Sequence, residues 1–106
     1  MLLAWTTLPT AAMAHQLAAE IVRRHLAVCV QVEGPVTACY RWEGKVEQAT
    51  EYRLSLKFLE AQAGPLEAYV LAQHPYATPE WIVVQAEHVG EKYLSWAMAV
   101  STPSPL

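Results

Sequence analysis

The chain has 106 residues, 54% of them hydrophobic and 16% charged, and carries a net charge of -3. That is one domain with enough apolar material for a core rather than a disordered tail, and its acidic balance argues against a nucleic-acid-reading face, which is usually basic. The sequence contains no Asp, so Asp pairs, EF-hand loops and Asp-led triads lose their usual residue, and its two cysteines cannot build a disulfide framework.

Leu2–Thr7 is a short apolar run that suits a central strand buried on both faces. Met1-Leu2-Leu3-Ala4-Trp5 followed by Ala12-Met13-Ala14 has a superficial likeness to a signal peptide. No Lys or Arg precedes Arg23, however, and Thr6, Thr7, Pro9 and Thr10 interrupt the apolar run, so the stretch reads as a strand and a helix start. Thr10 is placed as the N-cap. From Ala11 to Leu26 the spacing is helical, with Ala14, Leu17, Ala18, Ile21 and His25 on one face. Arg23, Arg24 and His25 suit the negative end of the helix dipole. No apolar run approaches the ~20 residues of a membrane-spanning helix. A soluble, cytoplasmic protein with reduced thiols is expected.

Two stretches of period 2 come next. Val28, Val30 and Val32 alternate with Cys29, Gln31 and Glu33. After a break at Gly34-Pro35, Val36, Ala38, Tyr40 and Trp42 alternate with Thr37, Cys39, Arg41 and Glu43. Glu43-Gly44-Lys45 is a tight-turn signal, and the return strand carries Tyr52, Leu54, Leu56 and Phe58 on one face. This hairpin exceeds the ~5–6 residues of an ordinary strand. Its tip overhangs a domain of this size and exposes Tyr40, Trp42, Val46 and Tyr52. An overhanging aromatic ribbon aggregates unless covered, and its natural cover is another copy of the chain.

Gly64-Pro65 fits the start of a second helix with Leu66, Tyr69, Val70 and Gln73 facing inward, and His74-Pro75 stops it. Trp81–Ala86 reads as another short apolar strand. Gly90 precedes a last helix with Tyr93, Trp96, Ala97 and Val100 on one face. Residues 1–100 are thus one domain. Ser101–Leu106, with two prolines and no charged side chain, reads as a flexible C-terminal tail. The order β-α-β, β-α-β is the split βαβ, or ferredoxin-like, α+β plan with a C-terminal helix added. Right-handed crossovers put both main helices on one sheet face, with strand order 4-1-3-2 and the long hairpin at one edge.

Several segments, in order over nearly the whole chain, carry a family resemblance. They are Leu26-Ala27-Val28-Cys29-Val30, Tyr40-Arg41-Trp42-Glu43-Gly44-Lys45, Glu51, Lys57, His74-Pro75-Tyr76, Pro79-Glu80 and Tyr93-Leu94-Ser95-Trp96. On these the chain resembles the CutA family of divalent-cation tolerance proteins. The resemblance implies a ferredoxin-like subunit, a homotrimer built on packed hairpins, and a loose likeness to the trimeric PII signalling proteins. It also implies copper binding, claimed for some members, through a Cys at the end of the first strand and adjacent histidines before the Pro. Here Trp5 stands at the Cys position and Gln73 precedes His74. Ala77 replaces Glu or Gln, Trp81 an aliphatic residue, and Cys39 a small polar one.

Cys29, among valines, reads either as a buried small hydrophobe or as a thiolate ligand for a soft metal such as Cu(I). Cys39 shares its side-chain parity, which would let the two thiols meet across a trimer. His74 is the leading metal candidate, since imidazole suits copper, zinc and nickel; the alternative is a protonatable C-cap interacting with the helix dipole. One His is too few for copper, which takes roughly three or four N or S donors, but three copies can converge in a trimer. His15, His25 and His88 have no His or Cys one helical turn away and read as surface residues. Tyr40, Trp42, Tyr76 and Trp96 read as packing residues at subunit contacts. Glu51, Lys57 and Glu80 either pair to set register between subunits or, with Tyr76, line an inter-subunit cleft for a small anion or metabolite.

No P-loop, Gly-x-Ser-x-Gly, Gly-x-Gly-x-x-Gly, His-Glu-x-x-His or Cys-x-x-Cys occurs, so an enzyme is not expected. Three readings follow. The preferred one is a homotrimer for divalent-cation tolerance that binds copper or another divalent cation weakly through His74 and Cys29. The second is a PII-like module that binds a small ligand or partner protein between subunits. The third is a trimeric scaffold for an unidentified protein partner. Neither nucleic acid nor membrane is an expected partner.

Overall fold

The computed structural model describes residues 1–101. Its elements run β1 (Leu2–Leu8), α1 (Ala11–Arg23), β2 (Cys29–Trp42), β3 (Lys45–Phe58), α2 (Ala63–Gln73), β4 (Ile82–Gln85) and α3 (Glu91–Ser101). The four strands form one antiparallel sheet in the order β2-β3-β1-β4, the predicted order read from the other edge. Residues 102–106 of the expected tail lie outside the described residues. Ser101, placed in that tail from sequence, instead ends α3, its hydroxyl donating to the Ala97 carbonyl at 2.6 Å.

Alternation along the strands builds the core. Ala4, Thr6 and Leu8 of β1 and Leu54, Leu56 and Phe58 of β3 are buried. They pack with Ala14, Leu17, Ala18 and Ile21 of α1 and with Leu66 and Val70 of α2. Both helices therefore cover the same sheet face. The other face of β1, carrying Leu3, Trp5 and Thr7, stays half-exposed, so the strand is not buried on both sides as its apolar run suggested. In the single chain β4 is an exposed edge strand, and of the four α3 residues expected to share a face only Ala97 is buried. Gln73, expected inward on α2, is exposed. Buried Gln62 accepts from the Leu59 amide and donates to the His25 carbonyl, both at 2.8 Å, which ties the start of α2 to the end of α1.

Thr10 caps α1 as predicted, its hydroxyl accepting from the Met13 amide at 3.1 Å. The far end departs from expectation. His25 does not continue the buried face; it adopts φ 58 and is exposed. The His25 amide bonds to the Val22 carbonyl and the Leu26 amide to the Ile21 carbonyl, both at 3.0 Å. This is a Schellman closure with histidine where glycine is usual.

The hairpin has two devices. Its tip is a two-residue turn in which Glu43 (φ 49) and Gly44 (φ 78) are both left-handed, the I′ geometry that matches strand twist. Near its root, Glu33 pairs with Arg53 but Val36 pairs with Glu51, so β2 takes three steps where β3 takes two. This bulge at Gly34-Pro35 reverses side-chain parity. Val30 and Val32 stand opposite Leu56 and Leu54, on the helix-covered face. Val36, Ala38, Tyr40 and Trp42 stand on the Glu51 face, away from the helices. Cys29 (opposite Lys57) and Cys39 (opposite Gln48) accordingly occupy opposite faces, which corrects the shared parity read from their spacing. Tyr40, Trp42 and Val46 are exposed, at 44%, 51% and 72%. Tyr52, also expected at the exposed tip, instead packs against the core.

Two stability predictions follow from this backbone. A Cβ on Gly34 (φ +154) would lie 2.5 Å from Tyr52 Cδ1 and 3.2 Å from the Glu51 carbonyl oxygen. Gly34→Ala should therefore destabilise by about 1–3 kcal/mol in urea melts, as overpacking does. His25→Gly should stabilise by about 1 kcal/mol in the same assay, since glycine enters the left-handed region without penalty.

Candidate functional site

The bulge points the upper half of β2 at the segment that leaves α2. His74 ends that helix in an extended conformation (φ -73, ψ 135), and Pro75 cannot continue it. The chain then passes the end of β1 at Thr7. An open cleft of about 660 Å³ results. The hairpin supplies Ala38, Cys39, Tyr40, Trp42 and Glu51 to it. The segment after α2 supplies Pro75, Tyr76, Ala77, Thr78 and Glu80.

Tyr76 closes the bottom of the cleft by donating its hydroxyl to Glu51 Oε2 at 3.0 Å. Burial, and then the hydrogen bond and charge of Glu51, push the Tyr76 hydroxyl up to about 12. It therefore remains a donor at neutral pH. Behind it, His74 Nδ1 accepts from the Tyr76 amide at 3.2 Å, and Nε2 lies 3.0 Å from Thr6 Oγ1. An accepting Nδ1 makes the ring neutral with its proton on Nε2. Burial holds His74 below its ordinary value, against smaller opposing effects of the Thr7 backbone and the Glu51 charge. The C-cap at His74 is thus a neutral imidazole, held unprotonated by burial and by the Tyr76 amide.

Of the seven residues expected at a ligand cleft or a subunit contact, five come together here: Tyr40, Trp42, Glu51, Tyr76 and Glu80. Two do not. Lys57 Nζ lies 3.1 Å from Gln31 Oε1 and 5.9 Å from the Tyr93 ring centre. Trp96 pairs with Tyr93 at 5.4 Å. Cys29 belongs to this second group; burial first, then the Cys29 thiol, raises the Tyr93 hydroxyl. Cys29 therefore stands on the sheet face away from the helices, whereas His74 bonds to Thr6 on the helix-covered face. Among the described residues no three His, Cys, Asp or Glu side chains gather closely enough to hold a metal ion.

The structure also gives Cys39, Thr6 and Trp81 places that sequence reasoning had not assigned them. Cys39 lies in the cleft wall between Ala38 and Tyr40, although the register turns its side chain to the opposite face from theirs. Thr6 is buried and holds His74, which no sequence pattern signals. Trp81 packs against the core and donates to Glu67 Oε1 at 2.9 Å.

His74 makes stability depend on pH. The unfolded chain takes up a proton near the ordinary value of 6.5, while the folded ring resists it. Its contribution is complete above that value and is lost as pH falls below it. Thermal melts from about pH 7.5 to 5 should therefore steepen downward on acidification. His74→Asn should be less stable at neutral pH but flatter across that window. An equally steep variant would remove His74 from the account.

A family model described as CutA1 divalent ion tolerance protein matches residues 2–100. The divalent-cation tolerance protein CutA of Yersinia pestis (strain Pestoides F) is 39% identical over 93 residues, covering 88% of this chain and 78% of that protein. Among solved structures, CutA from Synechococcus elongatus PCC7942 superimposes with a TM-score of 0.91 at 35% identity, covering 95% of this chain and 89% of that one. CutA from Xylella fastidiosa gives 0.90 at 30% identity, with 95% and 97% covered. With the family model spanning every described element and the same fold in these relatives, the chain belongs to the CutA1 divalent ion tolerance protein family.

Proposed function

We propose that the protein serves divalent-cation tolerance as a cytoplasmic homotrimer without catalytic activity, taking up copper or another divalent cation weakly at its subunit boundaries. The observation that carries this reading is the acidic cleft beneath an exposed aromatic hairpin. Glu51 and Glu80 line it, yet one chain does not assemble a complete donor set. A neighbouring copy would cover Tyr40, Trp42 and Val46 and supply the missing donors. His74 and Cys29 remain the nitrogen and sulfur donors to test. Recruiting His74 Nδ1 or Nε2 would displace the Tyr76 amide or the Thr6 hydroxyl, which accounts for weak binding.

A PII-like reading, in which the cleft takes a small ligand or a partner protein, has support of its own. Ligand pockets commonly enclose ~300–1,000 Å³ with aromatic walls and a few polar groups, and this cleft meets that description.

Native mass spectrometry with and without a few equivalents of Cu(II) separates the two. The expected result is a trimer that binds copper saturably and loses it in His74→Ala or Cys29→Ser. A trimer that stays metal-free would overturn the metal reading in favour of the ligand cleft. A monomer would overturn the assembly on which both depend.

A further inference from the structure

The two nitrogens of His74 are not equally open to a metal ion. Nε2 faces Thr6 Oγ1 at 3.0 Å. Thr6 is fully buried in β1, paired with Leu54 of β3, which is fully buried as well. A β-branched side chain packed in this way has little freedom at χ1, so its hydroxyl stays where the fold puts it. At that end the imidazole meets the protein interior. Nδ1 faces the segment that leaves α2 and accepts from the Tyr76 amide at 3.2 Å. Tyr76 lies between α2 and β4, outside any helix or strand, so its amide can turn from the ring without breaking a ladder. A neutral hydrogen bond at the long end of the usual range is also the less costly one to give up.

We propose that Thr6 is the positioning residue of the cation site: its hydroxyl accepts the Nε2 proton of His74 and so leaves Nδ1 as the nitrogen that binds the metal ion. The proposal rests on the divalent-cation reading above and names the residue that sets its donor. An imidazole ligand carries its proton on the nitrogen away from the metal, and the acceptor of that proton fixes both tautomer and ring orientation. Thr6 is such an acceptor, supplied by the subunit's own core. Its place does not depend on what a neighbouring copy covers, and the neighbour enters only as the source of further donors.

The test begins with heteronuclear NMR of the metal-free, full-length protein. The parent should show His74 as the Nε2–H tautomer with a slowly exchanging ring proton. Calorimetric titration of the same protein with copper(II) gives the reference affinity. Thr6→Val keeps the side-chain shape and removes the acceptor. It should lose the slowly exchanging signal and bind copper(II) roughly 10–100-fold more weakly, the usual effect of deleting the partner behind a ligating histidine. Thr6→Ser keeps the hydroxyl and should restore both. An Nδ1–H tautomer in the parent would overturn the proposal without recourse to any variant. Equal copper(II) affinity in the parent and Thr6→Val would do the same, as would a loss in Thr6→Ser as large as in Thr6→Val. A parent with the expected tautomer that takes up no copper(II) would overturn the metal reading itself, and this proposal with it.

Discussion

The one extra residue in β2 at Gly34-Pro35 is the constraint on which the rest of the molecule depends. Val28, Val30 and Val32 belong to the helix-covered side of the sheet, and α1 and α2 are only long enough to cover the root of the hairpin. Without the bulge, Tyr40 and Trp42 would continue that stripe past the ends of the helices. With it they turn to the opposite face, in step with Glu51. The same change of phase parts Cys39 from Cys29. Gly34 is required because the Tyr52 ring lies where any side chain would go. Pro35, which has no amide hydrogen to contribute to the ladder, suits the site where pairing lapses.

From the bulge, order passes to the cleft through hydrogen bonds as well as through packing. Thr6 is buried in the sheet, His74 bonds to it, the Tyr76 amide bonds to His74, and the Tyr76 hydroxyl bonds to Glu51. Among the described residues no buried side-chain polar atom lacks a partner, which matters because an unmatched buried group costs about 1–3 kcal/mol. The arrangement also explains why the imidazole is neutral: a proton on Nδ1 would turn an acceptor into a donor facing the Tyr76 amide. A structural role and a metal-binding role for His74 therefore compete for the same two nitrogens.

The apolar surface is arranged in a pattern that a lone subunit does not explain. Trp42, Val46, Ile82 and Met98 are all more than half exposed, spread over the hairpin, β4 and α3. Scattered exposed apolar residues are ordinary, but a long aromatic ribbon at one sheet edge and an exposed apolar strand at the other promote association. Closed association between copies of the chain satisfies that tendency without open-ended growth. It also gives the hairpin's unusual length a purpose, since a strand that reaches beyond its own core can reach another.

Local signals were sufficient for much of the architecture. Thr10 announced a helix because its hydroxyl can hold the Met13 amide, and Glu43-Gly44 announced a turn because that pair tolerates left-handed backbone. Leu54, Leu56 and Phe58 declared a buried strand face through their period of two. The family motifs around Tyr40–Lys45 and His74–Tyr76 fall on the two segments that line the cleft. What local signals could not carry was phase and partnership. Gly34-Pro35 looks the same in sequence whether it breaks a strand or adds a residue to it, and only pairing with β3 decides which. Lys57 and Glu80 are both charges in apolar surroundings, but one reaches Gln31 and the other the cleft. Their separation arises from contacts between residues far apart in the chain, and so the sign of the cleft's charge was decided by the tertiary structure alone.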